Sequence, residues 1–132
     1  MYIDTDIIYA FIKPADRHIL FARRIADIPD EEKYTSIITL VELEFVLSRE
    51  FLSDPHRSVE EMVHSFFPKM KILPFTPALF SESQSLREKM KIGILDSIHA
   101  ATALSRDHRI ASTDHIFDKI PGLKRIGPEN PI

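Results

Sequence analysis

Short segments with the pattern of buried strands alternate with helical segments along the whole chain. Residues 2–3 precede a helix predicted over 5–12, and residues 34–37 precede an apolar helix predicted from about 39 to 51. Strands that alternate with helices predict a parallel sheet covered on both faces. We therefore expect an α/β fold, a three-layer α/β/α sandwich with a mainly parallel sheet of about five strands. The remaining strands and helices are predicted at 16–28, 58–67, 71–74, 76–91, 97–107, 109–112 and 123–126.

Capping residues set several of the predicted helix boundaries. Asp16, Ser58 and Thr76 are expected to be N-caps, because their side-chain oxygens can accept from the first free N–H groups of a helix. Gly93 is expected to close the helix that follows Thr76. Asp96 is expected to cap the next helix.

The composition indicates one ordinary globular domain without thiol chemistry. With 132 residues, of which 44% are hydrophobic and 28% are charged, we expect a single domain over residues 1–132. The absence of cysteine excludes disulfides, zinc-thiolate sites and cysteine nucleophiles. The net charge of -3 gives no general attraction for nucleic acid. The sequence shows neither a secretion signal nor an apolar run of about 20 residues, so we expect a cytoplasmic protein without a membrane span.

Four acidic residues lie where predicted strands end or predicted helices begin. Asp4 and Asp114 directly follow strands, and Glu42 and Asp96 occupy early turns of helices. Ligands bind beyond the carboxyl ends of parallel strands, so we expect the four carboxylates to meet at that edge. Two like charges about 4 Å apart repel by roughly 4 kcal/mol at an effective dielectric near 20. A bound cation would reverse that repulsion, so the pattern indicates a metal site.

The chemistry of these side chains favours hard cations and phosphodiester hydrolysis. Oxygen ligands without cysteine or a close histidine pair suit Mg²⁺ or Mn²⁺. Two such ions about 3.5 to 4 Å apart activate a water and stabilise the leaving oxygen of an in-line displacement. Glu42 is the most informative acid, because an unpaired carboxylate among apolar residues is costly. Glu44 is nearly as embedded, and helical spacing leaves open which of the two points inward.

Other residues that could carry chemistry show weaker patterns. The six histidines include no His-Glu-x-x-His pair of a metalloprotease. His99, among alanines, is expected to be a helix-surface or packing residue. A structural role is favoured for every histidine, and His115, beside Asp114, is the only one that stays a candidate for the site, because imidazole can transfer protons near neutral pH. The chain has no Gly-x-Ser-x-Gly elbow, and its three glycines form no phosphate-binding loop.

Four motifs, in their order and spacing, resemble those of PIN domains and, among them, the small VapC-like toxin ribonucleases. The motifs cover nearly the whole chain and are Tyr2-Ile-Asp4-Thr5-Asp6, Ser36-Ile-Ile-Thr39-Leu-Val-Glu42, Asp96-Ser-Ile-His-Ala-Ala-Thr-Ala103 and Ala111-Ser-Thr-Asp114-His-Ile-Phe117. The resemblance implies an α/β sandwich with a five-stranded parallel sheet. It also favours Glu42 over Glu44. The catalytic and metal-binding acids that it implies are Asp4, Glu42, Asp96 and Asp114.

The function implied by the resemblance is Mg²⁺- or Mn²⁺-dependent cleavage of RNA by the toxin of a toxin-antitoxin pair. The implied partners are the RNA substrate, a second copy in a homodimer and a small antitoxin protein. A peptide of the antitoxin would cover the acids and insert an arginine in the place of a cation. The predicted helix over 58–67 has an apolar face that is a candidate for the dimer or antitoxin contact.

Several polar neighbours of the motifs keep alternative roles. Asp6 stands where the family often has asparagine or serine. It either caps the first helix, which we favour, or adds a carboxylate behind the site. The sequence leaves open whether Ser112 or Thr113 supports the acids. Asp118 is expected to be an exposed residue on a short helical turn rather than a further ligand.

Two other functions fit part of the sequence. Asp4-Thr-Asp6 after a strand also resembles the start of haloacid-dehalogenase-like phosphatases, which use an aspartate nucleophile. That family places threonine or valine at the position of Ile8 and has a later lysine with paired acids, and neither feature is clear in this chain. A non-catalytic PIN binding module is the second alternative. It would be marked by the loss of one of the four acids, and all four are present.

Overall fold

Five short parallel strands form the centre of the structure. The computed structural model describes residues 1–13, 15–50 and 54–130. The strands are β1 (Tyr2–Ile3), β2 (Tyr34–Ser36), β3 (Lys71–Leu73), β4 (Arg109–Ala111) and β5 (Lys124–Ile126). They pair in the order β3-β2-β1-β4-β5, and every neighbouring pair is parallel. The parallel sheet predicted from the sequence is confirmed.

Helices cover both faces of this sheet. Successive strand residues point to opposite faces, so Ile3 packs with α1 (Thr5–Ile12) and α2 (Ile19–Ala26), whereas Tyr2 packs on the other face. The core on the side of Tyr2 includes residues of α6 (Ile94–Leu104). The predicted three-layer α/β/α arrangement is therefore confirmed. The remaining helices are α3 (Ile37–Arg49), α4 (Val59–Phe66) and α5 (Pro77–Met90).

The order of the strands places a crevice beside β1. The chain leaves β1 toward β2 on one side and later returns to form β4 on the other side. Such a reversal of strand order is where parallel sheets bind ligands, beyond the carboxyl ends of the strands. The backbone N–H of Asp4 donates to the carbonyl oxygen of Ala111 (3.1 Å), so β1 and β4 stay paired up to this crevice. Asp4 therefore lies at the edge of the sheet where the sequence predicts the acids.

Two helices begin earlier than the sequence predicts. The hydroxyl of Ser36 caps α3 by accepting from a backbone N–H of its first turn (3.0 Å), so α3 starts at Ile37. Helix α6 starts at Ile94, directly after Gly93. Asp96 therefore lies inside the first turn of α6, and the prediction that it is the N-cap is wrong. A carboxylate in a first turn is favoured by the helix dipole without a capping bond.

The residues predicted to close α5 and to cap the start of α2 are both wrong. Helix α5 ends at Met90 and is closed by Lys91, which adopts a left-handed conformation (φ 58°), whereas Gly93, the predicted closing residue, precedes α6. Asp16 does not cap α2. Its Oδ1 accepts from the backbone N–H of His18 (2.8 Å), in the turn that precedes the helix. The side chain of Asp16 therefore stabilises the turn before α2 and does not cap the helix itself.

The predicted caps of α4 and α5 are confirmed. The hydroxyl oxygens of Ser58 and Thr76 accept from the backbone N–H groups of Glu61 (3.1 Å) and Leu79 (3.2 Å). The described part of α3 ends at Arg49, and its predicted end at residue 51 lies outside the described residues. Within the described ranges, no helix combines the length and apolar character of a membrane span.

A buried lysine closes the carboxyl end of α2. The Nζ of Lys33 donates to the carbonyl oxygens of Ile25 (3.4 Å) and Ala26 (3.1 Å). Asp30 Oδ1 lies 3.0 Å from the same Nζ, and the ring centroid of Phe67 lies 4.8 Å away. The last carbonyl groups of a helix have no partner inside the helix, and a cation satisfies them. Lys33 thus joins α2 to the start of β2.

Candidate active site

The four acids predicted from the sequence line one cleft at the carboxyl edge of the sheet. The cleft has a volume of about 420 Å³. A larger cavity of about 680 Å³ lies between α5 and α6, but its described lining has Glu82 beside Lys89 and Arg106 rather than a group of carboxylates. The residues that line the acidic cleft are Asp4, Thr5, Asp6, Tyr9, Glu42, Val46, Asp96, Thr113 and Asp114.

Asp4 is held by hydrogen bonds to both of its carboxylate oxygens. Its Oδ1 accepts from the backbone N–H of Thr5 (2.8 Å), and its Oδ2 accepts from Ser112 Oγ (2.6 Å). Burial, together with the charge of Asp6, raises the pKa of Asp4 to about 7. Ser112 Oγ also accepts from the backbone N–H of Asp114 (3.0 Å). Ser112 is therefore the hydroxyl residue that supports Asp4.

Glu42 points into the cleft, whereas Glu44 is exposed in a separate groove of α3. Glu42 Oε1 accepts from Thr5 Oγ1 and lies 2.9 Å from His99 Nε2. Burial alone would raise the pKa of Glu42, but hydrogen bonds from His99 and Thr5 outweigh burial and lower it. The orientation of α3 in the fold thus selects the glutamate that the family resemblance favoured.

Asp96 and Asp114 complete the set of acids in the cleft. Asp96 lies in the first turn of α6, and burial together with the charge of Asp114 raises its pKa. Asp114 caps the 3-10 turn His115–Lys119, and its Oδ1 accepts from the backbone N–H of Ile116 (2.9 Å). The effect of Asp114 on Asp96 indicates carboxylates close enough to repel each other, and a cation would relieve that repulsion.

His99 lies beside the acids, where the sequence did not lead us to expect it. The side chain is buried (1% exposed), with Nε2 2.9 Å from Glu42 Oε1 and 3.9 Å from Asp4 Oδ1. One potential ligand atom from each of Asp4, Glu42 and His99 lies within 4.8 Å of the others. Burial lowers the pKa of His99, but the hydrogen bond to Glu42 and the charge of Asp4 outweigh burial and raise it.

Of the two roles expected for His99, the helix-surface role is wrong because the side chain is buried, and the packing role is confirmed by its contact with the ring of Tyr2. The alanines around His99 let α6 approach the sheet closely, so the imidazole is enclosed instead of exposed. A usable signal was present in the spacing. His99 follows Asp96 by three residues, and residues three apart share one face of a helix.

His115, the one histidine kept as a candidate for the site, is not among the described residues that line the acidic cleft. Its Nδ1 is 2.8 Å from Asp118 Oδ2 and 3.0 Å from a guanidinium nitrogen of Arg125. Asp118 is partly exposed on the predicted short helical turn and accepts from Arg125 Nε (2.9 Å). The buried guanidinium of Arg125 also donates to the carbonyl oxygen of Ser112 (3.0 Å), so this group supports the site from behind.

Asp6 adds a fifth carboxylate to the cleft and does not cap α1. The N-cap of α1 is Asp4, and the preferred prediction for Asp6 is therefore wrong. Asp6 Oδ2 accepts from the backbone N–H of Thr113 (2.8 Å) and from Thr113 Oγ1. Its Oδ1 is buried and has no partner among the described residues. Burial raises the pKa of Asp6.

A family model matches the sequence over most of its length. The model of the PIN domain matches residues 1–123. The chain belongs to the PIN domain family. PIN domains are generally nucleases, so membership supports a hydrolase that acts on nucleic acid. No curated protein sequence matches the chain significantly.

Several solved structures share the fold of this PIN domain. The DNA-bound VapBC from Salmonella typhimurium is 22% identical, with a TM-score of 0.74 and 96% of each chain covered. VapBC2 from Rickettsia felis, bound to a DNA fragment from the promoter, is 19% identical, with a TM-score of 0.72 and 96% of each chain covered. A toxin-antitoxin complex from Klebsiella pneumoniae is 21% identical, with a TM-score of 0.68 and coverage of 92% and 93%. At these sequence identities, the similarity to the solved structures is evidence for a shared fold only.

The donor set in the cleft of this PIN domain fits a divalent metal ion. Five carboxylates line the cleft, and its described lining contains no lysine or arginine that could neutralise them. The buried Oδ1 of Asp6 also has no hydrogen-bond donor within the described part of the chain. Carboxylate oxygens suit Mg²⁺ and Mn²⁺, and PIN nucleases typically use divalent metals.

Proposed function

We propose that this PIN domain is a Mg²⁺- or Mn²⁺-dependent endoribonuclease that hydrolyses RNA phosphodiester bonds. Asp4, Glu42, Asp96 and Asp114 are its metal-binding and catalytic acids. One observation carries the proposal: these acids line a single cleft whose described lining has no cationic side chain. Carboxylates gathered in one cleft repel each other, so a site of this kind favours a bound cation and does not serve stability by itself.

The bound cations would supply Lewis-acid activation of a water and of the scissile phosphate. The chain itself contributes fixed geometry. Ser112 Oγ and the backbone N–H of Thr5 hold the two oxygens of Asp4, and Thr5 Oγ1 and His99 hold one oxygen of Glu42. Ligands that are fixed before the substrate arrives lose little freedom on binding, which favours reaction in the bound complex. Cations also provide the attraction for phosphate that a net charge of -3 does not provide.

We further propose that the protein is the toxin of a toxin-antitoxin pair. The fold shared with VapBC complexes and with a toxin-antitoxin complex supports a small antitoxin protein as its partner. Two exposed apolar patches support protein contacts of this kind, including a homodimer. One lies on α3, where Phe45 is 71% exposed and Val41 is 46% exposed. The other contains Ile94 (60% exposed) and Leu95 (41% exposed), which are neighbours at the start of α6.

Helix α4 is a weaker candidate for a partner contact than its sequence indicated. Val63 and Phe67 are buried in the core, and Phe66 stacks on Phe11 with ring centroids 5.1 Å apart. Val59 is the residue of α4 that lines the apolar groove of α3. The apolar face predicted over 58–67 is thus mainly used for packing, and α3 is the better candidate for a partner contact.

Cleavage of a mixed RNA pool tests the proposed activity. We expect wild type to cleave RNA in Mg²⁺ or Mn²⁺ and to stop in excess chelator, and Asp4→Asn and Asp96→Asn to lose at least about 100-fold in rate. Glu44→Gln is the matched control, because it removes an exposed carboxylate of α3 and should keep wild-type activity. Equal activity in all four proteins, or activity that persists in chelator, would rule out the proposal.

The two alternative functions are less well supported. A haloacid-dehalogenase-like phosphatase needs a lysine near its aspartate nucleophile, and the described lining of the cleft contains none. The match to the PIN domain over residues 1–123 also opposes that fold. A non-catalytic PIN module is opposed by the presence of all four acids in one cleft.

A further inference from the structure

The two carboxylate oxygens of Glu42 have different surroundings. Oε1 accepts from Thr5 Oγ1 and lies 2.9 Å from His99 Nε2. Within the described ranges, no donor contacts Oε2. Glu42 lies in the lining of the acidic cleft, so Oε2 is the oxygen that remains available to a cation there. One oxygen of Glu42 is thus occupied by the protein, and the other is free.

A buried chain of hydroxyl groups orients the imidazole of His99. Tyr2 Oη lies 2.5 Å from His99 Nδ1 and 3.1 Å from Thr39 Oγ1, which lies 2.9 Å from Thr35 Oγ1. Ionised Glu42 can only accept, so His99 Nε2 must carry the proton that is shared with it. Nδ1 then accepts from Tyr2, and Tyr2 accepts from Thr39. Thr39 and Tyr2 thus each donate toward His99, and the single proton of Thr35 Oγ1 has either Thr39 Oγ1 or the carbonyl oxygen of Ile3 (2.8 Å) as its acceptor.

We infer that His99 is a positioning residue that, together with Thr5, makes Glu42 a monodentate ligand and so favours Mg²⁺ or Mn²⁺ over Ca²⁺. Ca²⁺ takes six to eight oxygen ligands and readily accepts both oxygens of one carboxylate. Mg²⁺ demands octahedral geometry and keeps several waters, so a single oxygen from Glu42 is sufficient. This inference rests on the metal role that is proposed for Glu42.

Direct binding of the cation by His99 is the competing arrangement. It requires a lone pair on Nε2, and therefore a proton on Nδ1 that Tyr2 would have to accept. The hydrogen bond from Nε2 to Glu42 would then be lost, and Oε1 of Glu42 would keep Thr5 as its only donor among the described residues. The two arrangements differ in whether nitrogen contacts the cation, which spectroscopy can distinguish.

Competition between Mn²⁺ and Ca²⁺ for the whole chain tests the inference. The bound fraction of Mn²⁺ is followed by electron paramagnetic resonance while Ca²⁺ is added. We expect His99→Leu to lower the ratio of Mn²⁺ to Ca²⁺ affinity by about tenfold, as for other residues that orient metal ligands. His99→Gln, which can still donate to Glu42, should stay within about threefold of wild type. An unchanged ratio in His99→Leu would overturn the inference.

Two further measurements keep the test decisive if His99→Leu does not fold. Thr5→Val removes the second donor to Oε1 and should shift the ratio in the same direction, whereas Thr5→Ser should not. Electron spin-echo modulation of wild type with Mn²⁺ should show no directly bound imidazole nitrogen, and a strong nitrogen coupling would overturn the inference.

If wild type neither binds Mn²⁺ nor cleaves RNA, the proposed function itself fails. If it does both and the ratio never moves, only this inference fails.

Discussion

Ser112 Oγ donates to Asp4 Oδ2 over 2.6 Å, although the two residues are 108 positions apart in the sequence. The same hydroxyl oxygen accepts from the backbone N–H of Asp114 (3.0 Å). Parallel pairing of β1 with β4 brings the ends of these strands together, and Ser112 then fixes the relative position of the acids that follow them. The hydroxyl is therefore a structural link between two of the four acids in the cleft.

Replacing this link should weaken metal binding and lower stability. Ser112→Ala leaves one oxygen of buried Asp4 and the N–H of Asp114 without this partner, so we expect a loss of roughly 2 kcal/mol in the free energy of unfolding. Mn²⁺ affinity should fall by about tenfold. Urea unfolding and Mn²⁺ titration measure the two effects. Ser65→Ala, at an exposed hydroxyl of α4, is the control and should leave both values unchanged.

The metal-free protein should become less stable as the pH rises from about 4 to about 7. Burial raises the pKa of Asp4 to about 7, against roughly 4 in an unfolded chain. The folded state therefore holds an extra proton between these values, and its contribution to stability is lost as the pH rises through 7. His99, whose pKa is raised despite burial because Glu42 and Asp4 favour its charged form, acts in the same direction above about pH 6.5.

Urea unfolding across this pH range, in chelator and in saturating Mn²⁺, measures the effect. Mn²⁺ should oppose the trend, because the ion binds ionised carboxylates and competes with their protons. Asp4→Asn should flatten the curve of the metal-free protein. Stability that increases with pH in chelator would contradict the raised pKa values.

Removing the fifth carboxylate should stabilise the protein in the absence of metal. Asp6→Asn keeps an oxygen for Thr113 and removes one negative charge beside Asp4, so we expect a gain on the order of 1 kcal/mol in chelator. The rise in melting temperature that Mn²⁺ produces should be smaller than in wild type. Glu44→Gln changes the net charge equally on an exposed surface and should alter neither value. A variant that is less stable than wild type in chelator would show that Asp6 is not a source of repulsion.

The acids at strand ends could be predicted because their location follows from a general property of parallel sheets. Asp4 and Asp114 directly follow short apolar strands, and the carboxyl ends of such strands meet at one edge. Their location in one cleft with Glu42 and Asp96 is seen in the structure, and their role as metal ligands stays a prediction. The strand order itself is not encoded locally. It depends on which crossovers pack best.

Residues whose roles depend on tertiary packing could not be assigned from the sequence. Glu42 and Glu44 differ by two positions on α3, and only the packed orientation of that helix shows which one enters the cleft. The alanines beside His99 suggested an ordinary packing position in the sequence. In the structure, the same alanines make room for the sheet and place His99 next to it. Asp6 looked like a cap because aspartate is a good cap, but Asp4 already occupied that position.

A distant substitution should change stability without changing the site. Lys33→Met keeps the apolar stem but leaves the carbonyl groups of Ile25 and Ala26 without their cation, so we expect a loss of roughly 3 kcal/mol in the free energy of unfolding. Lys119→Met, at an exposed lysine, is the control. Urea unfolding measures the loss. RNA cleavage per folded molecule should equal that of wild type, and a lower rate would indicate an unexpected connection between α2 and the cleft.

Anomalous diffraction from crystals of the protein grown with Mn²⁺ tests the proposed metal site most directly. We expect a strong anomalous peak inside the acidic cleft, at roughly 2 Å from carboxylate oxygens of Asp4, Glu42, Asp96 or Asp114. The same crystals of Asp96→Asn should show a weaker peak or none. A cleft without anomalous density at saturating Mn²⁺, or ions bound only away from these acids, would contradict their role as metal ligands.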